Sequence, residues 1–225
     1  MNFDHRRVQI VLALRRLGVT DTAVMAAMEA IPRELFVPPS LRRHAYEDAT
    51  LPIGYEQTLS QPSVVGIMTQ ALRLTDRMKV LEVGTGSGYQ TVVLARLARR
   101  VYSVERHKPL LENAEARFQD LQINNITTKC GDGTIGWKEQ TPFDRIIVTA
   151  ASLDVPPVLA DQLTIGGVMV VPIGLESTLQ KIVRVTRTMN GLETEELRDV
   201  NFVPLIAAEV LAKVLLGFAQ YFLCF

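Results

Sequence analysis

The chain has 225 residues, 48% of them apolar and 21% charged, the size and balance of one globular domain with a full core. Its 24 basic and 24 acidic side chains cancel, which argues against a nucleic-acid binder held by counterion release. Two cysteines, Cys130 and Cys224, stand far apart without metal-like spacing, so neither a disulfide framework nor a metal site is expected.

The basic pairs Arg6-Arg7, Arg15-Arg16 and Arg42-Arg43 read as solvated helix faces. The first apolar stretch is broken by Arg15 and Arg16 and lacks a small-residue cleavage site, so no secretory signal is expected. Reduced thiols then fit a cytoplasmic protein. Over residues 7–30, apolar positions recur at helical spacing, Gly18 interrupts them, and Thr20 or Asp21 can cap a second helix. Pro32, Pro38 and Pro39 end that region. Residues 46–62, with Pro52, Gly54 and Pro62 and little periodicity, read as a long loop of the kind that often carries function. Helical spacing returns over 63–74.

From residue 78 the pattern changes. Short apolar runs at 78–83, 101–104, 126–130, 143–148 and 168–171 alternate with helix-length segments. Strands alternating with helices predict βαβ units, hence a doubly wound, mostly parallel α/β sheet with helices on both faces. Two late strands, 179–188 and 197–203, flank Asn190-Gly191 and predict an antiparallel hairpin at the C-terminal edge, with the Asn-Gly pair inside a longer connection.

The segment Leu81-Glu82-Val83-Gly84-Thr85-Gly86-Ser87-Gly88 lies between a strand and a helix, where such folds bind nucleotides. Its G-x-G-x-G spacing is shorter than that of dinucleotide binders and suits a ligand without a pyrophosphate. A carboxylate at Glu82 favours a cationic ligand such as a sulfonium amino acid. Glu105, with Arg106 beside it, ends the next strand, placed to accept hydrogen bonds from ribose hydroxyls. Asp132, between Gly131 and Gly133 at the third strand end, is placed to bond an adenine amino group. His5, His44 and His107 read as surface or helix-end residues, Trp137 as a packing residue, and Met25, Met28, Met68 and Met78 as core.

At this point the chain resembles class I methyltransferases of Rossmann-like fold, and more narrowly the protein-L-isoaspartate O-methyltransferase family. The resemblance runs from about Arg6 to Ile206 and rests most on Gly54-Tyr55-Glu56-Gln57-Thr58-Leu59-Ser60-Gln61-Pro62. Ile31-Pro32-Arg33-Glu34-Leu35-Phe36, Gly131-Asp132-Gly133-Thr134 and the segments 143–151 and 163–167 continue it. It implies one methyltransferase domain over 1–206, with helices and a substrate loop in 1–75 and a cofactor-binding sheet in 76–206. It implies S-adenosylmethionine as cofactor, S-adenosylhomocysteine as product, and isoaspartyl carboxylates of aged proteins as methyl acceptors. It places cofactor contacts at Glu82, Gly84, Thr85, Gly86, Ser87, Gly88, Glu105, Arg106, Asp132 and Gly133. Ser60 matches the family's active-site serine and is expected to orient the acceptor, with Thr58, Gln61 and Pro62 as further substrate contacts.

A carboxylate is ionised near neutral pH, so no general base is expected. Other readings stay open: a small-molecule acceptor, a fold that binds without turnover, or Thr58 and Ser60 merely holding a loop. Residues 207–225 form an atypical apolar tail with Glu209 and Lys213 its only charges. The tail fits a helix docked on its own domain or a second subunit, an interfacial membrane helix, or a segment altered by reading-frame history. A monomer without firm membrane or nucleic-acid partners is expected, with a tail-mediated oligomer as the alternative.

Overall fold

The computed structural model describes residues 3–175 and 179–207; the tail beyond lies outside the described residues. Two helices, α1 (Phe3–Arg16) and α2 (Thr22–Ala30), open the chain. Asp21 caps α2, its Oδ1 accepting from the backbone N–H groups of Ala23 and Val24 at 2.9 and 3.2 Å. Such a cap contributes roughly 1 kcal/mol. After two short 3₁₀ turns, Arg33–Phe36 and Pro39–His44, the chain forms a small antiparallel pair, β1 (Leu51–Gly54) and β2 (Gln57–Leu59).

That pair corrects the expected loop over 46–62. Tyr55 and Glu56 form its turn, both with positive φ (54° and 58°), the mirror-image turn that suits twisted strands. Neither residue is one that usually adopts this backbone, which is why the turn is hard to read from sequence. Helix α3 (Pro62–Ala71) follows, starting on Pro62, whose missing N–H is no loss at the first helical position.

The remaining elements are β3 (Lys79–Val83), α4 (Tyr89–Leu97), β4 (Arg100–Glu105), α5 (Lys108–Asp120), β5 (Ile126–Cys130), β6 (Phe143–Val148), α6 (Pro157–Ala160), β7 (Leu163–Ile173), β8 (Gln180–Thr188) and β9 (Gly191–Val200). They build a seven-stranded sheet in the order β5-β4-β3-β6-β7-β8-β9. Strands β3 to β7 pair in parallel, and β8 and β9 add antiparallel at one edge. The doubly wound sheet with a C-terminal antiparallel hairpin is as expected. The turn at Asn190-Gly191 is tighter than expected, since Thr188 pairs directly with Gly191. Strand β9 also starts earlier, because its exposed Glu193, Glu195 and Glu196 hide the apolar alternation of an edge strand.

Alternation along the strands delivers side chains to two cores. Val80, Val101, Ile147, Val168 and Val170 face α1–α4, while Leu81, Val104, Ile146, Val148, Met169 and Val171 face the α6 side. Met25, Met28 and Met68 are core residues, as expected, whereas Met78, before β3, is only half-buried. Trp137 packs edge-on against Tyr102, with ring centroids 5.5 Å apart. Strand order reverses between β3 and β6, and such a switch point leaves a crevice beyond the carboxyl ends of the strands.

Candidate active site

The crevice is occupied by a cleft whose floor is the glycine loop after β3 and whose sides come from the ends of β4 and β6. The hairpin end, Gln57 to Ser60, covers it from one side, and the segment from Phe202 to Ile206 closes the other. That last segment is pinned to the sheet centre by Ala151, whose N–H donates to Val203 at 2.8 Å and whose carbonyl accepts from Leu205 at 2.7 Å.

Two glycines make the loop possible. Gly84 has φ +100°, and a Cβ there would lie 2.2 Å from Thr149 Oγ1, the hydroxyl that donates to the Gly84 carbonyl. Gly88, φ +90°, begins α4, and a Cβ there would strike the Phe118 ring at 2.6 Å. Thr85 is tied down beside them. Its Oγ1 lies 2.6 Å from Ser103 Oγ, which donates in turn to Glu82 Oε2 at 2.5 Å.

Glu82 itself does not reach the cleft. Alternation along β3 turns it with Val80 toward α4, where it is 0% exposed and Oε2 also accepts from Thr91 Oγ1 at 2.6 Å. Oε1 has no hydrogen-bond partner among the described residues. Burial, aided by the charge of Glu105 and opposed by the two hydroxyl bonds, pushes its pKa up to about 8. The residue expected to face a cationic ligand is therefore a support beneath the loop.

Glu105 does line the cleft. Its Oε2 accepts from Gly86 N and its Oε1 from His107 N, both at 2.8 Å. Two backbone donors fix the carboxylate in place and leave each oxygen a second lone pair for a ligand hydroxyl. Arg106 and Gly133 also line the cleft. Asp132 stands beside it, with Oδ1 accepting from Thr134 N at 2.8 Å and Thr134 Oγ1 at 2.6 Å.

On the hairpin side, Thr58 and Ser60 face the cleft, and neither hydroxyl makes a hydrogen bond among the described residues. The loop is held instead by the β1–β2 pairing and by Asp48, which accepts from Ser63 N and Ser63 Oγ at 2.8 Å each. A second depression continues outward from Thr58 and Ser60 past Gln61 to Arg198 and Asn201. Gln61 lines that outer groove and not the inner cleft, while Pro62 is buried as the first residue of α3.

The structure thus gathers Thr58, Ser60, Gly84, Thr85, Gly86, Ser87, Glu105, Arg106 and Gly133 around one space. It keeps Pro62, Glu82 and Gly88 behind the wall. Sequence reasoning missed Met68, Tyr89, Gln90, Thr149 and residues 203–206, which also line the cleft. Thr149 follows β6 at the switch point, a position that strand order alone would have flagged.

Comparison with known proteins bears on what this space holds. The family model described as protein-L-isoaspartate(D-aspartate) O-methyltransferase matches residues 5–210. A protein-L-isoaspartate O-methyltransferase of Rhodospirillum centenum is 55% identical over 207 residues, covering 92% of this chain and 94% of the relative. One of Rhodospirillum rubrum is 56% identical over 208 residues, covering 92% and 95%. Among solved structures, a protein-L-isoaspartate O-methyltransferase superposes with a TM-score of 0.78 at 31% identity, over 88% of this chain and 65% of that one. A Plasmodium falciparum protein of that description, in complex with S-adenosyl-L-homocysteine, gives 0.77 at 26% identity, over 88% and 97%.

Proposed function

The chain belongs to the protein-L-isoaspartate(D-aspartate) O-methyltransferase family, and we propose that it performs that family's reaction in the cleft between the glycine loop and the β1–β2 hairpin. The reaction esterifies the free carboxylate of an isoaspartyl residue; the neighbouring backbone nitrogen then closes a succinimide, which reopens partly to normal aspartate.

The residues fit S-adenosylmethionine. Glu105, held by two backbone donors, offers acceptors for ribose hydroxyls, and Gly84 and Gly88 let the loop adopt the left-handed backbone that forms the floor of the cleft. Thr85, Gly86, Ser87, Arg106 and Gly133 complete that half, with Asp132 beside it. When bound, S-adenosylmethionine supplies the methyl group: the acceptor oxygen bonds the carbon as the C–S bond breaks and sulfur keeps the electron pair.

The chain's own task is orientation. An isoaspartyl carboxylate is ionised at neutral pH and needs neither a base nor a metal to become a nucleophile. Ser60 donates a hydrogen bond to one carboxylate oxygen, leaving the other aligned for attack, with Thr58 as a second donor. Such a bond also stabilises the ground-state anion, so its contribution is positional, a class of effect worth up to ~7–11 kcal/mol in intramolecular models. Gln61 meets the peptide in the outer groove, which continues from Ser60 to Arg198 and Asn201. We place the protein in the cytoplasm as a monomer acting on isoaspartyl proteins and peptides. Among the described residues no helix is long and apolar enough to cross a membrane.

The observation that carries this reading is Ser60, whose uncommitted hydroxyl stands where cleft and groove meet. Labelled methyl transfer to a matched isoaspartyl and aspartyl peptide pair tests it. Wild type should label only the isoaspartyl peptide, and Ser60→Ala should weaken labelling while S-adenosylhomocysteine binding persists. Cofactor binding without labelling of either peptide would overturn it.

A further inference from the structure

We propose that Arg33 is a positioning residue for Ser60, its buried guanidinium fixing the peptide plane that follows the serine and hence the place of the Cβ that carries the hydroxyl. The inference rests on the functional reading above. Arg33 is 0% exposed. Its Nε donates to the Ala45 carbonyl at 2.7 Å and its Nη2 to the Ser60 carbonyl at 2.6 Å. The guanidinium carbon lies 4.6 Å from the centroid of the Tyr89 ring, and Tyr89 is itself part of the cleft wall.

Burying a cation is costly, and buried charged groups can often be replaced by well-packed apolar side chains without loss of stability. Here the offsetting partners are two neutral carbonyls, the ring and phenol group of Tyr89, and the fields of Asp48 and Tyr46. An apolar group could fill the same volume but could not tie residues 33, 45, 60 and 89 together. The tie falls at the one point of the segment that is otherwise free. Leu59 is held by its pairing with Leu51, Pro62 fixes the entry to α3, and Asp48 holds Ser63. With the Ser60 carbonyl also gripped, the Cα–Cβ bond of Ser60 has a single direction.

The test is a double-mutant cycle of Arg33→Met and Ser60→Ala, read by peptide kinetics, thermal unfolding and calorimetric binding of S-adenosylhomocysteine. Arg33→Met alone should lower kcat for the isoaspartyl peptide by on the order of 10- to 10²-fold, the scale of a small misplacement of a reacting group. S-adenosylhomocysteine affinity should stay within about threefold. In the Ser60→Ala background the same change should cost less than about twofold, because both act through one hydroxyl. If Arg33→Met does not fold, Arg33→Lys carries the cycle, since it keeps charge and stem but lacks the planar fork that spans both carbonyls. Effects that multiply, or cofactor affinity that falls in step with kcat, would make Arg33 a general structural residue and overturn the proposal. A wild type that does not label the isoaspartyl peptide would instead fail the functional reading itself.

Discussion

Replacing Glu82 by glutamine should remove a pH dependence of stability built into the glycine loop. Oε2 of Glu82 accepts two hydroxyl hydrogen bonds, while Oε1 is buried with no partner among the described residues, which leaves it open to a proton. A glutamine placed the same way keeps the acceptor and puts its NH₂ where the protonated oxygen was. In the folded protein burial holds the acid's pKa at about 8, against 4.5 for an unperturbed glutamate. The native state therefore holds a proton that the unfolded chain has released, and stability falls as pH rises between those two values. At about 1.4 kcal/mol per unit, the loss between pH 6 and pH 8 is ~2 kcal/mol, and it levels off above the folded pKa. Urea unfolding of wild type and Glu82→Gln without cofactor, at pH 6 and pH 8, measures it. The variants should be close in stability at pH 6, and the glutamine protein should be the more stable by ~2 kcal/mol at pH 8. Parallel pH profiles would refute the buried, protonated acid.

Gly84→Ala should lose S-adenosylhomocysteine binding and about 2–4 kcal/mol of stability, since the methyl meets Thr149 Oγ1 and the backbone is left-handed there; calorimetry and thermal unfolding report the two losses. Glu105→Gln presents an amide N–H to one of two backbone donors, at Gly86 or His107, and should weaken S-adenosylhomocysteine binding by ~1–3 kcal/mol with little change in fold. An unchanged dissociation constant would remove Glu105 from the site. Glu56→Gly relieves a left-handed turn residue and should raise unfolding stability by ~0.5–1 kcal/mol, after the entropy that glycine costs. A loss of stability in urea titrations would show that the Glu56 side chain contributes more than its backbone strain costs.

Legibility followed the physics of each element. The parallel strands were readable because both faces are covered, which makes them short apolar runs ending in glycine or acid, as at Val83-Gly84 and Val104-Glu105. The β1–β2 hairpin was not, because Pro52 sits within it and its turn uses Tyr55 and Glu56 instead of Asn-Gly. Edge strand β9 was foreshortened by its solvent-facing glutamates. In the site, Glu105, Gly84, Gly86 and Gly133 line the cleft, while Gly88 lies behind its wall. Glu82 was misread, although period-two alternation from Val83 already turns it away. Arg33 and residues 203–206 were invisible as site elements, since burial of a lone arginine and the return of the chain to Ala151 are tertiary facts.

The two sheets divide the labour in a way that bears on how acceptor range can change. Every contact proposed for the methyl donor comes from strand ends of the seven-stranded sheet, whereas Thr58 lies in, and Ser60 directly follows, a two-stranded hairpin that shares no ladder with it. The exposed positions of that hairpin, such as Pro52 and Thr58, can therefore vary in shape and polarity without altering a backbone bond of the large sheet, while Leu51 and Leu59 stay anchored in the core. Selection, or a designed library, has access to new acceptors through that hairpin while donor recognition is inherited intact.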